Sequence, residues 1–159
     1  MRNILIAYDG SETSKAAIDE VETLFSHNGN TKICVISISN ISNPHTNAMM
    51  QRKIMDEDVK KIQKEHDEKA KKEHVEKIKL QLDEIKNRLE NNGTTVDTNV
   101  LMMEGNNNPG EKICKYATSY NYDLIVVGSR GLGNIKKVIL GSVSNYVVNN
   151  SDKPVLVIK

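Results

Sequence analysis

The sequence predicts an α/β fold: an open five-stranded parallel sheet with helices on both faces, Rossmann-like in plan. Three observations carry this. Short apolar runs alternate with helix-forming segments in the order β-α-β-α-β-α-β-α-β, which implies a parallel sheet with right-handed crossovers. The second run, with Ile33, Val35, Ile36 and Ile38 nearly continuous, is apolar on both faces and so belongs in a sheet covered on both sides. The fourth run, Leu124 to Val127, breaks at Gly128 into a polar, glycine-punctuated loop that leads to a helix.

Taken in order, Asn3 to Tyr8 reads as the first strand and Asp9-Gly10-Ser11-Glu12 as the turn out of it. Ser11 or Thr13 can cap the next helix. Ala17, Ile18, Val21, Leu24 and Phe25 give that helix one apolar face, and Asn28-Gly29 should stop it. Lys32 to Ser39 is the second strand, and Ser42 to Asn47 is a loop.

From Met49 to about Glu90 the chain favours helix and has no glycine or proline. Ile78, Leu82, Ile85 and Leu89 place its second half against the core. Between Gln51 and Lys77 apolar residues are sparse and charges alternate, the pattern of a solvated helix held by i,i+4 pairs. That stretch is expected to be dispensable for the fold. A sustained coiled-coil heptad is absent.

Asn91-Asn92-Gly93 ends the helix, and Thr95 to Met103 alternates as the third strand. Gly105 to Asn108 form a loop, Pro109 suits a helix first turn, and Ile113, Cys114, Tyr116, Ala117 and Tyr120 supply the apolar side. Gly141 to Ser144 then opens a short helix to about Asn150, and Pro154 to Ile158 is the last strand.

At 159 residues the chain fits one domain, 1–159, with a charged helical insertion at about 43–79. Net charge is +1, which gives no field that would draw nucleic acid or an anionic membrane. No apolar run approaches the ~20 residues that span a bilayer. The N-terminal run is too short for a signal peptide. Cys34 and Cys114 stand apart from each other and from any histidine, as buried inert thiols do. The cytoplasm is the expected compartment.

Where strand four hands over to a helix, glycines admit an anion to the backbone and the helix mouth offers unpaired N–H groups. A plain turn would also use glycine. The spacing Gly128-x-x-Gly131, nine residues, then Gly141-Ser142 resembles the G-2x-G-9x-G-S/T motif of the ATP-binding branch of the universal stress protein family. Asp123 to Val127 before it and Lys153 to Val157 after it are similar too; only about Ser42 to Lys79 lies outside the likeness.

The resemblance implies strand order 3-2-1-4-5, so strands one and four meet where the order reverses, the usual ligand position in such sheets. It also implies that Gly128, Ser129, Arg130 and Gly131 line the ribose and phosphates, with Val127 before them a further nucleotide-binding position. Gly141, Ser142, Val143 and Ser144 would hold phosphates by backbone N–H and hydroxyl groups. Ala7, Asp9 and Ile38 would face adenine and ribose; Asp9 has the alternative role of helix cap. Lys136 and Lys137 are further candidates for the phosphates. The expected ligand is ATP, with or without Mg2+, or else ADP or AMP. Two departures stand out: Ser37-Ile38-Ser39-Asn40 lacks the His-Val-Asp common in the family, and the loop at Asn106 to Asn108 is longer than usual.

No Walker A loop or Ser-Gly-Gly-x-Asp-Ser loop is present, and His27, His45, His66 and His74 are scattered. The sequence therefore predicts a non-enzymatic regulatory protein with at most slow ATP turnover. The alternative is a scaffold of the same fold that binds a protein partner through the charged helix. Val155 to Ile158 would lie at the sheet edge, where antiparallel pairing with a second copy gives a homodimer. Nothing after Lys159 is expected to cover that edge; Tyr146 and Val147 of the last helix, or the charged helix, are the alternatives.

Overall fold

The computed structural model describes residues 2–25, 30–40, 57–103, 107–131 and 140–159. The expected helix stop at Asn28-Gly29, the loop at Ser42 to Asn47, the first part of the 43–79 insertion, Gly105, Asn106 and the loop residues Leu132 to Ile139 with Lys136 and Lys137 lie outside them.

Nine described elements follow in order: β1 Arg2–Ala7, α1 Glu12–Phe25, β2 Thr31–Asn40, α2 Glu57–Glu90, β3 Thr95–Met103, α3 Pro109–Ser119, β4 Leu124–Gly128, α4 Ser142–Asn150 and β5 Val155–Ile158. The strands form one sheet in the order β3-β2-β1-β4-β5, every neighbouring pair parallel. The predicted fold and strand order are what the chain adopts.

Alternation along each strand divides the core in two. Ile4, Ile6, Ile33, Val35, Val96 and Val126 pack with Ala17, Ile18, Val21, Leu82 and Leu89 on the face of α1 and α2. Leu5, Cys34, Ile36, Ile125 and Val127 pack with Ile113, Ala117 and Val147 on the face of α3 and α4. The unbroken apolar run of β5 follows the same logic: Leu156 and Ile158 join the first cluster, Val155 and Val157 the second. Its backbone edge lies at the rim of the sheet.

Helix α2 has the two halves its sequence suggested. Leu82 and Leu89 are fully buried and Ile78 and Ile85 pack beside them, whereas Ile62 is 67% exposed. Ion pairs Lys64–Glu68, Lys79–Glu76 and Lys86–Glu90 run along the solvated surface. Near its C-terminal end Arg88 ion-pairs with both Asp19 and Glu22 of α1, and the Asn92 side chain donates to Glu22 at 2.7 Å. Gly93, at φ +80°, takes the left-handed position that closes the helix.

Two expected core residues are outside. Leu24 is 53% exposed because it sits at the margin of the narrow stripe formed by Ala17, Ile18 and Val21. Tyr120 is 63% exposed; its ring rests 4.5 Å from that of Tyr116 rather than in the core. One packing feature had no signal in the sequence. A Cβ at Gly110 would lie 2.8 Å from Cβ of Tyr146, so glycine lets α3 and α4 approach.

Replacing residues 51–77 by a short Gly/Ser linker should change stability by less than about 1 kcal/mol, since the sequence there is sparse in apolar residues and Ile62 is exposed. Leu89→Ala should cost about 2–5 kcal/mol. Urea unfolding of both variants tests the division of α2.

Candidate functional site

A cavity of about 220 Å³ opens beyond the carboxyl ends of β1, β2 and β4. This is where the strand order reverses, with β1 paired to β2 on one side and β4 on the other. Eleven of the twelve residues singled out in the sequence line it: Ala7, Asp9, Ile38, Val127, Gly128, Arg130, Gly131, Gly141, Ser142, Val143 and Ser144. Ser129 does not. Tyr8, Ser14, Ile36, Pro109 and Ile113 line it as well and were not foreseen. The parallel topology held the clue to the last two, because α3 must start at the same end of the sheet where β3 finishes.

The cavity has two characters. Ile36, Ile38, Ile113, Pro109, Val127 and Ala7 make an apolar slot between the sheet and α3. Asp9, the glycine loop and the first turn of α4 make a polar mouth. Strand β1 ends at Ala7, and the last backbone bond toward β2 runs from the Tyr8 N–H to the Ile36 carbonyl at 2.8 Å.

Asp9 serves the turn and the cavity together. Its Oδ1 accepts from the Ser11 N–H at 3.0 Å, while Oδ2 lies 3.0 Å from where a Cβ at Gly131 would stand. The helix cap is Ser11: its Oγ accepts from the Ser14 N–H at 3.2 Å, and its carbonyl receives the Lys15 N–H at 3.0 Å. Gly10 between them has φ +81°, a conformation glycine adopts without strain.

The glycine loop is fastened to α1. Thr13 Oγ1 donates to the Arg130 carbonyl at 2.5 Å and accepts the Arg130 N–H at 3.2 Å, and Ser11 Oγ donates to the same carbonyl at 3.2 Å. Gly128 makes this approach possible, because a Cβ there would meet Thr13 Oγ1 at 2.5 Å and the Ser14 nitrogen at 2.8 Å. Ser129 is buried and acts as a strut. Its N–H reaches the Ile158 carbonyl at 2.6 Å, and its own carbonyl accepts the Gly141 N–H at 2.8 Å.

The donors expected at residues 141–144 are therefore fewer than the sequence suggested. The Gly141 N–H is used within the loop, and the buried Ser144 hydroxyl points at the carbonyls of Ser129 and Gly141, at 3.1 and 3.0 Å. Helix α4 begins at Ser142, so the amides of Ser142, Val143 and Ser144 have no carbonyl within the helix to pair with, and Gly141 offers no capping side chain. The exposed Ser142 hydroxyl lies at the same mouth. Gly141 itself is not demanded by packing. Its φ of −61° suits any residue, and a Cβ would find its nearest neighbours at an ordinary 3.5 Å.

Among the described residues no cluster of three His, Cys, Asp or Glu side chains is arranged to hold a metal ion. Cys34 and Cys114 are free and buried, and burial pushes both thiols above their ordinary range. Burial, with the Cys34 thiol as a lesser cause, pushes the Tyr122 hydroxyl up too. No described helix is long and apolar enough to cross a membrane.

The family model described as Universal stress protein family matches residues 1–159. A universal stress protein of Methanocaldococcus jannaschii is 38% identical over 81 residues, which is 51% of this chain and 48% of that protein. The chain spans about half the length of the curated relatives it matches in sequence. The solved structure of the same Methanocaldococcus protein superposes with a TM-score of 0.77 at 29% identity, covering 99% of this chain and 95% of that one. Two further structures share the fold: a universal stress protein in complex with cAMP (TM-score 0.61, 21% identity, 99% and 95% covered) and one from Archaeoglobus fulgidus in complex with dAMP (TM-score 0.60, 17% identity, 100% and 98% covered).

Gly128→Ala should cost about 1–3 kcal/mol, because the added methyl meets α1 backbone that cannot give way. Thermal unfolding of that variant beside Gly141→Ala, which should melt like the parent, checks the contrast.

Proposed function

The chain belongs to the universal stress protein family, and from that premise we propose that it is an adenine-nucleotide-binding regulatory protein of the ATP-binding branch. The observation that carries this reading is Gly141: a glycine that no described neighbour requires, at the head of a helix whose first amides have no partner within the helix, on the rim of a cavity. A phosphate fits that arrangement, since it needs close backbone approach and N–H donors near a positive helix end.

In this reading the base lies in the apolar slot against Ile38, Ile113 and Val127. A pocket of about 220 Å³ encloses a base and sugar better than a whole triphosphate, which leaves the phosphates at the mouth. The slot offers no charged side chain to the base, so recognition falls to backbone groups at the end of β2, beyond the last bond to β1. The substitution of Ser37-Ile38-Ser39-Asn40 for the usual family sequence leaves such contacts available. Asp9 stands where a ribose hydroxyl would need an acceptor. ATP is the nucleotide proposed, with Mg2+ as its counter-ion; the likeness to proteins solved with cAMP and dAMP supports the adenine moiety.

Binding rather than catalysis is proposed, because among the described residues the lining supplies one carboxylate, Asp9, and neither a histidine nor a thiol to act with it. The free buried cysteines fit a reducing, cytoplasmic setting. We also propose a homodimer through β5, whose four half-buried apolar residues lie on a sheet edge. The second reading, a scaffold that engages a protein through α2, is favoured by the exposure of Ile62 and Leu80 on that helix.

Isothermal titration of ATP should give a saturable heat that Gly131→Val and Gly141→Val each weaken at least tenfold, about 1.4 kcal/mol. A folded variant with parental affinity would remove the assignment. Light scattering should show a dimer that Val157→Lys converts to monomer; a parental monomer at micromolar concentration excludes the β5 interface.

A further inference from the structure

We propose that Thr13 is a positioning residue that sets the direction of the Gly131 N–H, and so governs recognition of the nucleotide's phosphates; this rests on the nucleotide reading above. Thr13 is not the cap of α1, since Ser11 fills that role. Its hydroxyl lies 3.5 Å from Ser11 Oγ and makes its shorter bonds across the fold. It accepts the Arg130 N–H at 3.2 Å and donates to the Arg130 carbonyl at 2.5 Å. These two groups belong to successive peptide planes, 129–130 and 130–131, so one side-chain atom holds both, with Ser11 Oγ a second, longer donor to the carbonyl at 3.2 Å.

The second plane matters most. In a trans peptide the N–H points opposite to the preceding C=O. Drawing the Arg130 carbonyl toward α1 therefore turns the Gly131 N–H away from α1 and toward α4. The spacing agrees, because a Cβ at Gly141 would stand 3.5 Å from the Gly131 nitrogen. The Gly131 amide is thereby aimed beside the first-turn amides of α4, which have no partner within the helix. A hydroxyl both accepts and donates through one atom; valine can do neither, and a carboxylate only accepts.

The test uses the full chain with Thr13→Val, Thr13→Ala and Thr13→Ser, titrated separately with ATP and with adenosine. Loss of two hydrogen bonds should weaken ATP about tenfold in the valine and alanine variants. Adenosine affinity should stay close to the parent's, and Thr13→Ser should restore ATP binding. Equal losses for ATP and adenosine, parental ATP affinity in both deficient variants, or no rescue by serine would each overturn the proposal. So would failure of both deficient variants to fold beside a folded serine variant, since the hydroxyl would then serve the fold alone. Amide NMR of the ligand-free protein keeps the two readings apart. If the parent binds no ATP, the nucleotide reading fails. The positioning of Gly131 is still judged by whether its resonance moves in Thr13→Val and returns in Thr13→Ser; a resonance that does not move rejects it.

Discussion

The arrangement depends on the contact between the first turn of α1 and the loop after β4. Sheet pairing alone brings β1 and β4 side by side, with Ala7 opposite Val127. Beyond that point each strand must turn away, and nothing in the ladder holds the two turns together. Thr13 and Ser11 do so by seizing the Arg130 backbone, across a gap that stays closed because residue 128 has no side chain. Ser129 extends the same hold to the end of β5 and the head of α4. Four elements are thus fixed around one short piece of irregular chain, where a cleft needs rigid walls.

The glycines of this region divide by cause. Gly128 is required by the fold, since α1 occupies the space of its missing Cβ. Gly131 faces Asp9, a side chain with some freedom to shift. Gly141 faces no described atom closer than an ordinary 3.5 Å. A motif read as one phosphate-binding unit is therefore three positions with separate surroundings.

Much of this was legible in the residues. Apolar runs located the strands within a residue or two, Asn108 and Pro109 marked the start of α3, and Asn91 to Gly93 marked the end of α2. The strand order came from family likeness, and with it the meeting of Asp9 and the glycine loop. What local pattern could not show were contacts between distant segments. Gly110 against Tyr146, and Thr13 against Arg130 at a separation of 117 residues, look ordinary in their own neighbourhoods. The two inward bonds of the Ser144 hydroxyl were hidden for the same reason, because a serine in a helix first turn is read as an outward donor until the packing around it is known. Leu24 and Tyr120 erred in the opposite sense: the periodicity was right, but the surface each helix covers is narrower than its apolar arc.

The span of sequence bridged by the Thr13–Arg130 contact also has a consequence in time. Helix α2 needs only local hydrogen bonds and can form as soon as it is made, whereas joining residues 117 apart must first overcome the entropy of closing a long loop. During synthesis the first half of the cleft therefore waits for the second, which does not exist until Arg130 has left the ribosome. Any ligand that needs both halves binds the finished molecule alone, and by mass action draws the folding equilibrium toward it.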